Sequence, residues 1–502
     1  MNESAAAGAL LLHPDDDVAV ALRELTAGER VLGVDVVGTV ASGHKVALHD
    51  LRVGDSVRKY GQIIGLATVP IVAGEAVHSH NLAFTASTVD HTVGANVVRV
   101  TPASEPRTFD GFVRADGKVG TRNYIGVLSS VNCSVTVGKL IAQAATPLLA
   151  RYPGVDGIVP LGHGTGCGLA VSGDGFRLLQ RTLRGYAAHP NFAGILVVGL
   201  GCEVNQIADL DLAAVSPNAR SLVIQDAGGT TAAVRAGVTA IEEMLPAVAA
   251  CRRTAVPLGR LILGLNCGGS DAYSGITANP ALGVAADLLV ANGGTAVLAE
   301  TPEIYGAENL LTSRATSQAV ADKLLQRIAW WDDYTARNGS SVDSNPSPGN
   351  KVGGLTTILE KSLGAVAKGG SSPLEAVYEY AEPVTAPGLV FMDTPGYDPV
   401  SVTGIVAGGA QVVCFTTGRG SVFGCKPAPS IKLCSNPETY ARMSEDMDLD
   451  CGAILSGTTS VEEMGRRIFE TVIATASGAS TASERLGFGV EEFAPWQLGA
   501  VL

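Results

Sequence analysis

Short apolar runs that break abruptly into small-residue turns recur from Tyr124 to Leu433, and this pattern limits the fold more than any other feature. Tyr124 to Leu128 runs into Ser129, Ser130, Asn132 and Cys133, and Ile158 to Leu161 runs into GHGTGCG, with His163 and Cys167. GILVVGL (194–200) ends in Gly201-Cys202-Glu203, and Leu261 to Leu265 ends in Cys267-Gly268-Gly269-Ser270-Asp271. Thr295 to Leu298 leads into Glu300 and Glu303, Gly388 to Met392 into Asp393, and Val412 to Phe415 into TTGRG. Runs of this length bounded by glycine are buried strands, and the longer periodic segments between them are helices. Strand–turn–helix repetition gives an open, mainly parallel sheet, whose strand ends present their turns along one edge. Cys133, Cys167, Cys202 and Cys267 all follow such strands, so four thiols are expected along one sheet edge.

Two further helices can be read directly. Val320, Leu324, Ile328 and Trp331 make one apolar stripe within 315–337. Ser460 with Glu463 forms a capping box before MGRRIFETVIATA.

The first 85 residues differ. LLLH, VLGVDVVGTVA, KVALHDL, DSVRKYG and IIGLATVPI are short strand-like runs punctuated by Gly and Asp. Five of the chain's 8 histidines lie here, at 13, 44, 49, 78 and 80. His78 and His80 stand two residues apart and share one side of an extended segment, so they could share a ligand or a metal. The organisation expected is a β-rich domain over 1–85, a polar linker over 86–108, and a first α/β domain over 109–310. A connecting helix and a proline-rich loop follow over 311–384, with a second α/β domain over 385–502.

A chain of 502 residues with 46% hydrophobic content supports several cores and argues against disorder. The net charge of −13 argues against a nucleic-acid partner. No apolar stretch approaches about 18 residues and the N-terminus has no basic region, so neither a membrane span nor a signal peptide is expected. The cytoplasm is the expected location. Nine cysteines without a CxxC read as thiols or metal ligands. No strand–GxGxxG–helix unit points to a dinucleotide.

Several longer motifs carry a resemblance. They are GHKVAL (43–48), KYGQIIG (59–65), VHSHN (77–81), DGKVGTRN (116–123) and GLGCE (199–203). CGGSDAYSGITANP (267–280), ETPEIYGAE (300–308), NPSPGNKVGG (345–354) and TTGRG (416–420) follow. The chain resembles the altronate/galactarate dehydratases, sugar-acid dehydratases with an N-terminal SAF-like domain, and VHSHN is similar to the altronate branch. The fold implied is a small SAF-like β-rich domain followed by a large α/β region of two subdomains. The activity implied is a hydro-lyase converting a six-carbon sugar acid, of the D-altronate or galactarate class, to a 2-keto-3-deoxy acid with Fe(II).

Such a reaction removes the proton α to a carboxylate and loses the C3 hydroxyl, so it needs a base, an acid and cationic stabilisation of the enediolate. His44 is the acid/base candidate, because imidazole titrates in the working range, and Lys45 is its cationic partner. Arg122, Lys351 and Arg419 are candidates for the carboxylate, and Thr121, Asn123, Ser270 and Asp271 for hydroxyls. His13, His78 and His80 are the candidate iron ligands, with Cys167, Cys202 and Cys267 as the alternative for an iron–sulfur cluster. A sulfo-lyase, or a dehydratase of a shorter hydroxy acid, is a second reading. A non-catalytic sugar-acid binding protein is a third. The expected partner is a small anionic sugar acid, and a homodimer is the expected assembly.

Overall fold

The computed structural model describes residues 8–85, 91–216 and 218–499. The linker expected at 86–108 therefore lies partly outside the described residues. Its remainder runs along the C-terminal region, with Asn96 N–H donating to the Ser313 carbonyl at 2.7 Å and Ala103 N–H to Ala291 at 2.8 Å.

The N-terminal domain is β-rich, as expected. One antiparallel sheet orders Ala9–Leu10, Val18–Ala21, Lys45–Ala47 and Ala76–Val77, and a second orders Ser56–Lys59, Gln62–Ala67 and Leu82–Ala83. The domain does not have a wholly separate core. Val18, Leu51, Val57, Ile64, Ile71 and Leu82 pack in one apolar cluster with Leu263, Leu265, Leu282 and Phe391 of the C-terminal region. Burying this much apolar surface between domains fixes how the N-terminal domain sits on the sheet beneath it.

β1 (Tyr124–Ser129), β2 (Gly157–Leu161), β3 (Phe192–Gly199) and β4 (Ala219–Val223) form a parallel sheet in the order β2-β1-β3-β4. α1 (Val135–Ala145) and α2 (Asp174–Ala187) are crossover helices between its strands, and α3 (Thr230–Ala250) follows the last of them. The stretch Asn132–Arg151, which contains α1, has the length and hydropathy to cross a membrane, and a third of it is buried within the fold. Val137, Ile141, Ala142 and Ala145 on α1 pack against the sheet core.

The second parallel sheet has seven strands. β5 (Ile262–Cys267) and β6 (Thr295–Leu298) come before the long helix α4 (Gln318–Arg337). β7 (Leu374–Tyr378), β8 (Gly388–Met392), β9 (Val412–Thr417), β10 (Ser430–Cys434) and β11 (Leu449–Asp450) come after it. The order is β7-β8-β6-β5-β9-β10-β11. β5 thus pairs with β9 and β6 with β8, each parallel. This pairing crosses the boundaries drawn at 310 and 385, so residues 109–310 are not one sheet domain. The central strands are buried on both faces, which is why they read as continuous apolar runs. Leu324, Ile328 and Trp331 on α4 are buried as their stripe predicts, and Ser460 Oγ accepts from Glu463 N–H at the start of the last long helix, Val461–Ala476.

Candidate active site

The C-terminal edge of the seven-stranded sheet gathers the functional side chains. β5 ends at Cys267, and the loop after it carries Gly268 to Asp271. The loop after β9 carries Arg419, and that after β10 carries Ser435 and Asn436. Asp271 is buried and fixed from several sides. Its Oδ1 accepts from Ser274 N–H and Oγ (both 2.8 Å) and from Ser435 Oγ (2.7 Å), and its Oδ2 accepts from Asn436 Nδ2 (2.9 Å). Ser270 is also buried, and its carbonyl accepts from Asn350 Nδ2 at 2.8 Å. Asp271, Tyr273, Gly353, Arg419, Asn436 and Arg442 line a cleft of about 560 Å³, to which Ser42 and Leu22 of the N-terminal domain also contribute. Arg419 is exposed in this cleft.

The N-terminal domain is pinned at this edge by a buried ion cluster. Lys45 Nζ reaches Glu360 Oε2 at 2.9 Å and the Gly354 carbonyl at 2.8 Å, and Lys59 Nζ reaches Glu360 Oε1 at 2.8 Å. All three charged side chains are fully buried. Burial, with the Lys59 charge assisting, pushes Lys45 down to about 8 against the pull of Glu360. Glu360 is held far below the carboxylate range, because the two ammoniums outweigh the burial that opposes them. Gly354 adopts φ +96°, and a Cβ there would stand 2.5 Å from the Gly43 carbonyl, so the two backbones approach as only glycine allows.

This seam brings His44 beside the cleft wall. Its Nε2 lies 3.3 Å from the carbonyl of the cleft-lining Val352. A carbonyl can only accept, so Nε2 carries the proton and Nδ1 keeps the lone pair. The His44 ring meets His78 edge to face, with centroids 4.7 Å apart. Burial lowers His44, although its bond to Val352 opposes the shift. Burial, followed by the Lys45 and His44 charges, pushes His78 down to about 4. Lys45 does not stand beside His44 as a catalytic cation. Its ammonium is committed to Glu360 in the domain seam.

A second, deeper group lies where β5 and β6 end. Cys267 Sγ lies 3.1 Å from Glu303 Oε2 and 3.5 Å from Glu300 Oε2, and Lys368 Nζ lies 2.8 Å from both the sulfur and Glu300 Oε2. Lys361 Nζ reaches Glu303 Oε1 at 2.7 Å. Asp398 also belongs here, since a Cβ on Gly268 would collide with its carboxylate, and burial with the charges of Glu300 and Glu303 raises it to about 8. Burial and the two carboxylates raise the Cys267 thiol well above its usual range. Among the described residues, Cys267, Glu300 and Glu303 are the one set of His, Cys, Asp or Glu ligand atoms within 4.8 Å of one another. Glu300 Oε1 is buried without a hydrogen-bond partner. A sulfur, two carboxylates and an orphaned oxygen suit a divalent transition metal, and Lys368 competes with it for two of the three donors.

The sequence-predicted residues divide clearly. His44, His78, Ser270, Asp271 and Arg419 come to the sheet edge, and Lys351 is half-buried in the adjoining short helix Pro348–Val352. His13 and His80 are exposed, and His13 lies against Gly61, so the three imidazoles proposed for iron form no ligand group. Thr121, Arg122 and Asn123 are structural. Arg122 pairs with Glu484 at 2.7 Å and donates to the carbonyls of Thr475 and Ala479, while Thr121 and Asn123 bond to buried backbone carbonyls. Of the four thiols expected on one edge, Cys133, Cys167 and Cys202 follow β1, β2 and β3, but Cys267 ends β5 of the other sheet. The sequence reading missed Glu360, Lys361, Lys368 and Asp398. Glu360 and Lys361 stand in the helix Ile358–Val366, every residue of which is buried, so their charges are masked within an apolar segment.

Comparison with known proteins accounts for this arrangement. Residues 7–85 match the altronate/galactarate dehydratase SAF domain. Residues 111–249 match the second domain of D-galactarate dehydratase/altronate hydrolase, and residues 258–501 match the D-galactarate/altronate dehydratase C-terminal region. Altronate dehydratase of Bacillus subtilis (strain 168) is 34% identical over 496 residues, covering 98% of this chain and 99% of that protein. Altronate dehydratase of Escherichia coli (strain K12) is 35% identical over 498 residues, with the same coverage. The L-threo-forming galactarate dehydratase of Escherichia coli (strain K12) is 36% identical over 492 residues, covering 95% of this chain and 94% of that protein. The chain belongs to the altronate/galactarate dehydratase family and is a hydro-lyase of that type.

Proposed function

We propose that this chain dehydrates a six-carbon sugar acid of the altronate or galactarate class to a 2-keto-3-deoxy acid in the cleft between the N-terminal domain and the sheet edge. The observation that carries this reading is the position of His44, whose ring bonds to Val352 beside a cleft that also holds Asp271 and Arg419.

Arg419 recognises the substrate carboxylate, with Lys351 and Arg442 adding positive potential that stabilises the enediolate. Asp271, held rigid by Ser274, Ser435 and Asn436, accepts from a substrate hydroxyl. Nδ1 of neutral His44 takes the C2 proton. The imidazolium then gives that proton to the departing C3 hydroxyl, which leaves as water. The enol product tautomerises by losing its hydroxyl proton and gaining one at C3. Fe(II), which the family resemblance implies, would be held by Cys267, Glu300 and Glu303, and when bound would supply Lewis-acid polarisation of a substrate oxygen. A cytoplasmic homodimer is part of the same proposal.

The test is product formation from a panel of altronate, galactarate, galactonate and sulfolactate, assayed for 2-keto acid and for sulfite. A 2-keto acid from altronate or galactarate supports the reading. Sulfite from sulfolactate would reassign the leaving group, and no product from any of them would favour a binding protein.

A further inference from the structure

The thiols of Cys133, Cys167 and Cys202 have no place in the mechanism above, yet the fold brings them together. They follow β1, β2 and β3, which are neighbours in one parallel sheet, so their turns emerge at the same edge. All are free and exposed, so core packing does not account for them. Backbone bonds lock the turns together. Asn132 N–H donates to the Thr165 carbonyl (2.9 Å), Val204 N–H to the Cys167 carbonyl (3.3 Å), and Asn205 N–H to the Gly166 carbonyl (3.1 Å). Asn205 Nδ2 adds a bond to the Ser130 carbonyl at 2.9 Å.

Within this frame Cys133 and Cys202 are each close enough to Cys167 to bear on it electrostatically. Gln225 Nε2 donates to Cys202 Sγ at 3.5 Å. The neighbouring carboxylate of Glu203 is held by Ser130 Oγ (2.8 Å) and by the N–H groups of Leu200 (3.1 Å) and Gly201 (2.5 Å). The edge therefore offers soft sulfur donors on a preformed frame.

Spacing separates the candidate ligands. Bonds of about 2.3 Å to one tetrahedral ion put its sulfurs under about 4 Å apart. The three thiols are not among the groups whose ligand atoms all lie within 4.8 Å. A cubane cluster spreads its cysteine ligands more widely, since each sulfur binds a different iron.

We propose that Cys133, Cys167 and Cys202 bind a [4Fe–4S] cluster, one thiolate to each of three irons, leaving the fourth iron open to an oxygen donor of a hydroxy acid. Each thiol releases its proton to solvent and forms one Fe–S bond. The use of the open iron on a sugar acid rests on the hydro-lyase reading, and the presence of the cluster does not.

The experiment reconstitutes the full-length protein anaerobically with equimolar ferrous and ferric iron and sulfide, then measures iron, acid-labile sulfide, visible absorption and the EPR spectrum after reduction. The wild type, Cys251→Ser and Cys267→Ser are expected to hold the cluster. Cys133→Ser, Cys167→Ser and Cys202→Ser are expected to lose it while keeping wild-type circular dichroism. Adding altronate or galactarate to the reduced wild type should shift the EPR signal. Absence of labile sulfide in the wild type, or retention of the cluster in all three serine variants, would overturn the proposal, as would labile sulfide that follows Cys267. A cluster present with an EPR signal that no hydroxy acid shifts would support the site and overturn the open iron's ligand. Because cluster content is read without turnover, an inactive protein that holds the cluster would count against the hydro-lyase reading alone.

Discussion

The imidazoles of His44 and His78 meet edge to face with centroids 4.7 Å apart, and His44 Nε2 lies 3.3 Å from the carbonyl of Val352, at the end of the short helix Pro348–Val352. Both rings are held below the ordinary imidazole value, His78 to about 4. The unfolded chain takes up a proton at His78 near 6.5, and the folded chain does so only near 4. Between these values the unfolded state binds more protons, so stability is full above about 6.5 and falls as pH drops toward 4. Thermal unfolding across this range should show that loss, and His78→Asn should reduce it. An unchanged pH dependence in the variant would remove His78 as its source.

Glu360 joins two buried lysines of the N-terminal domain to the C-terminal region. Replacing it with Gln leaves two ammoniums facing each other without a counter-charge. Breaking a buried pair in this way costs about 3–5 kcal/mol. Urea unfolding of Glu360→Gln should show a loss of that size, and Lys45→Met, which leaves the Lys59 pair intact, should lose less.

Arg122 is the residue for which motif and structure diverge most. Its guanidinium is filled by Glu484 and three carbonyls, so Arg122→Ala should lower the unfolding midpoint. Its KM for the sugar acid should stay near wild type. Arg419→Ala should do the opposite, raising KM by roughly tenfold or more with little change in stability, as expected for a lost charged hydrogen bond to a carboxylate. Steady-state kinetics and thermal melts of the two variants check both halves.

Much of the fold could be read from the sequence because buried strands and their glycine turns leave a local pattern. Strand order leaves none, and this is why β5 and β6 were grouped with the residues before them rather than with β8 and β9. The same non-local pairing separates Cys267 from the other three thiols. Asp271 and Arg419 were legible because they sit in turns at strand ends. Lys361, Lys368 and Asp398 were not, because buried charges in apolar segments are recognised only once their partners are known. Thr121-Arg122-Asn123 looked like a binding turn, but a polar motif at a domain seam has the same composition.

Lys368 Nζ shares the sulfur of Cys267 and an oxygen of Glu300, both at 2.8 Å. Lys368→Met removes that positive charge from a buried site. Charges this close interact by more than about 1.4 kcal/mol, so affinity for a divalent ion should rise by at least about tenfold. Calorimetric titration of the variant with Fe(II) or Zn(II), with Glu300→Gln as the control that loses the gain, checks this.

The most direct measurement is the rate of 2-keto acid formation by His44→Ala with altronate and galactarate, against wild type of equal metal content and matching circular dichroism. Loss of the group that moves the C2 proton should lower kcat by at least about a hundredfold. It should also remove the acidic limb of the pH profile that lies below the ordinary imidazole range. A variant that turns over within about a factor of two of wild type would contradict the assignment of His44 and, with it, the placement of the reaction at this cleft.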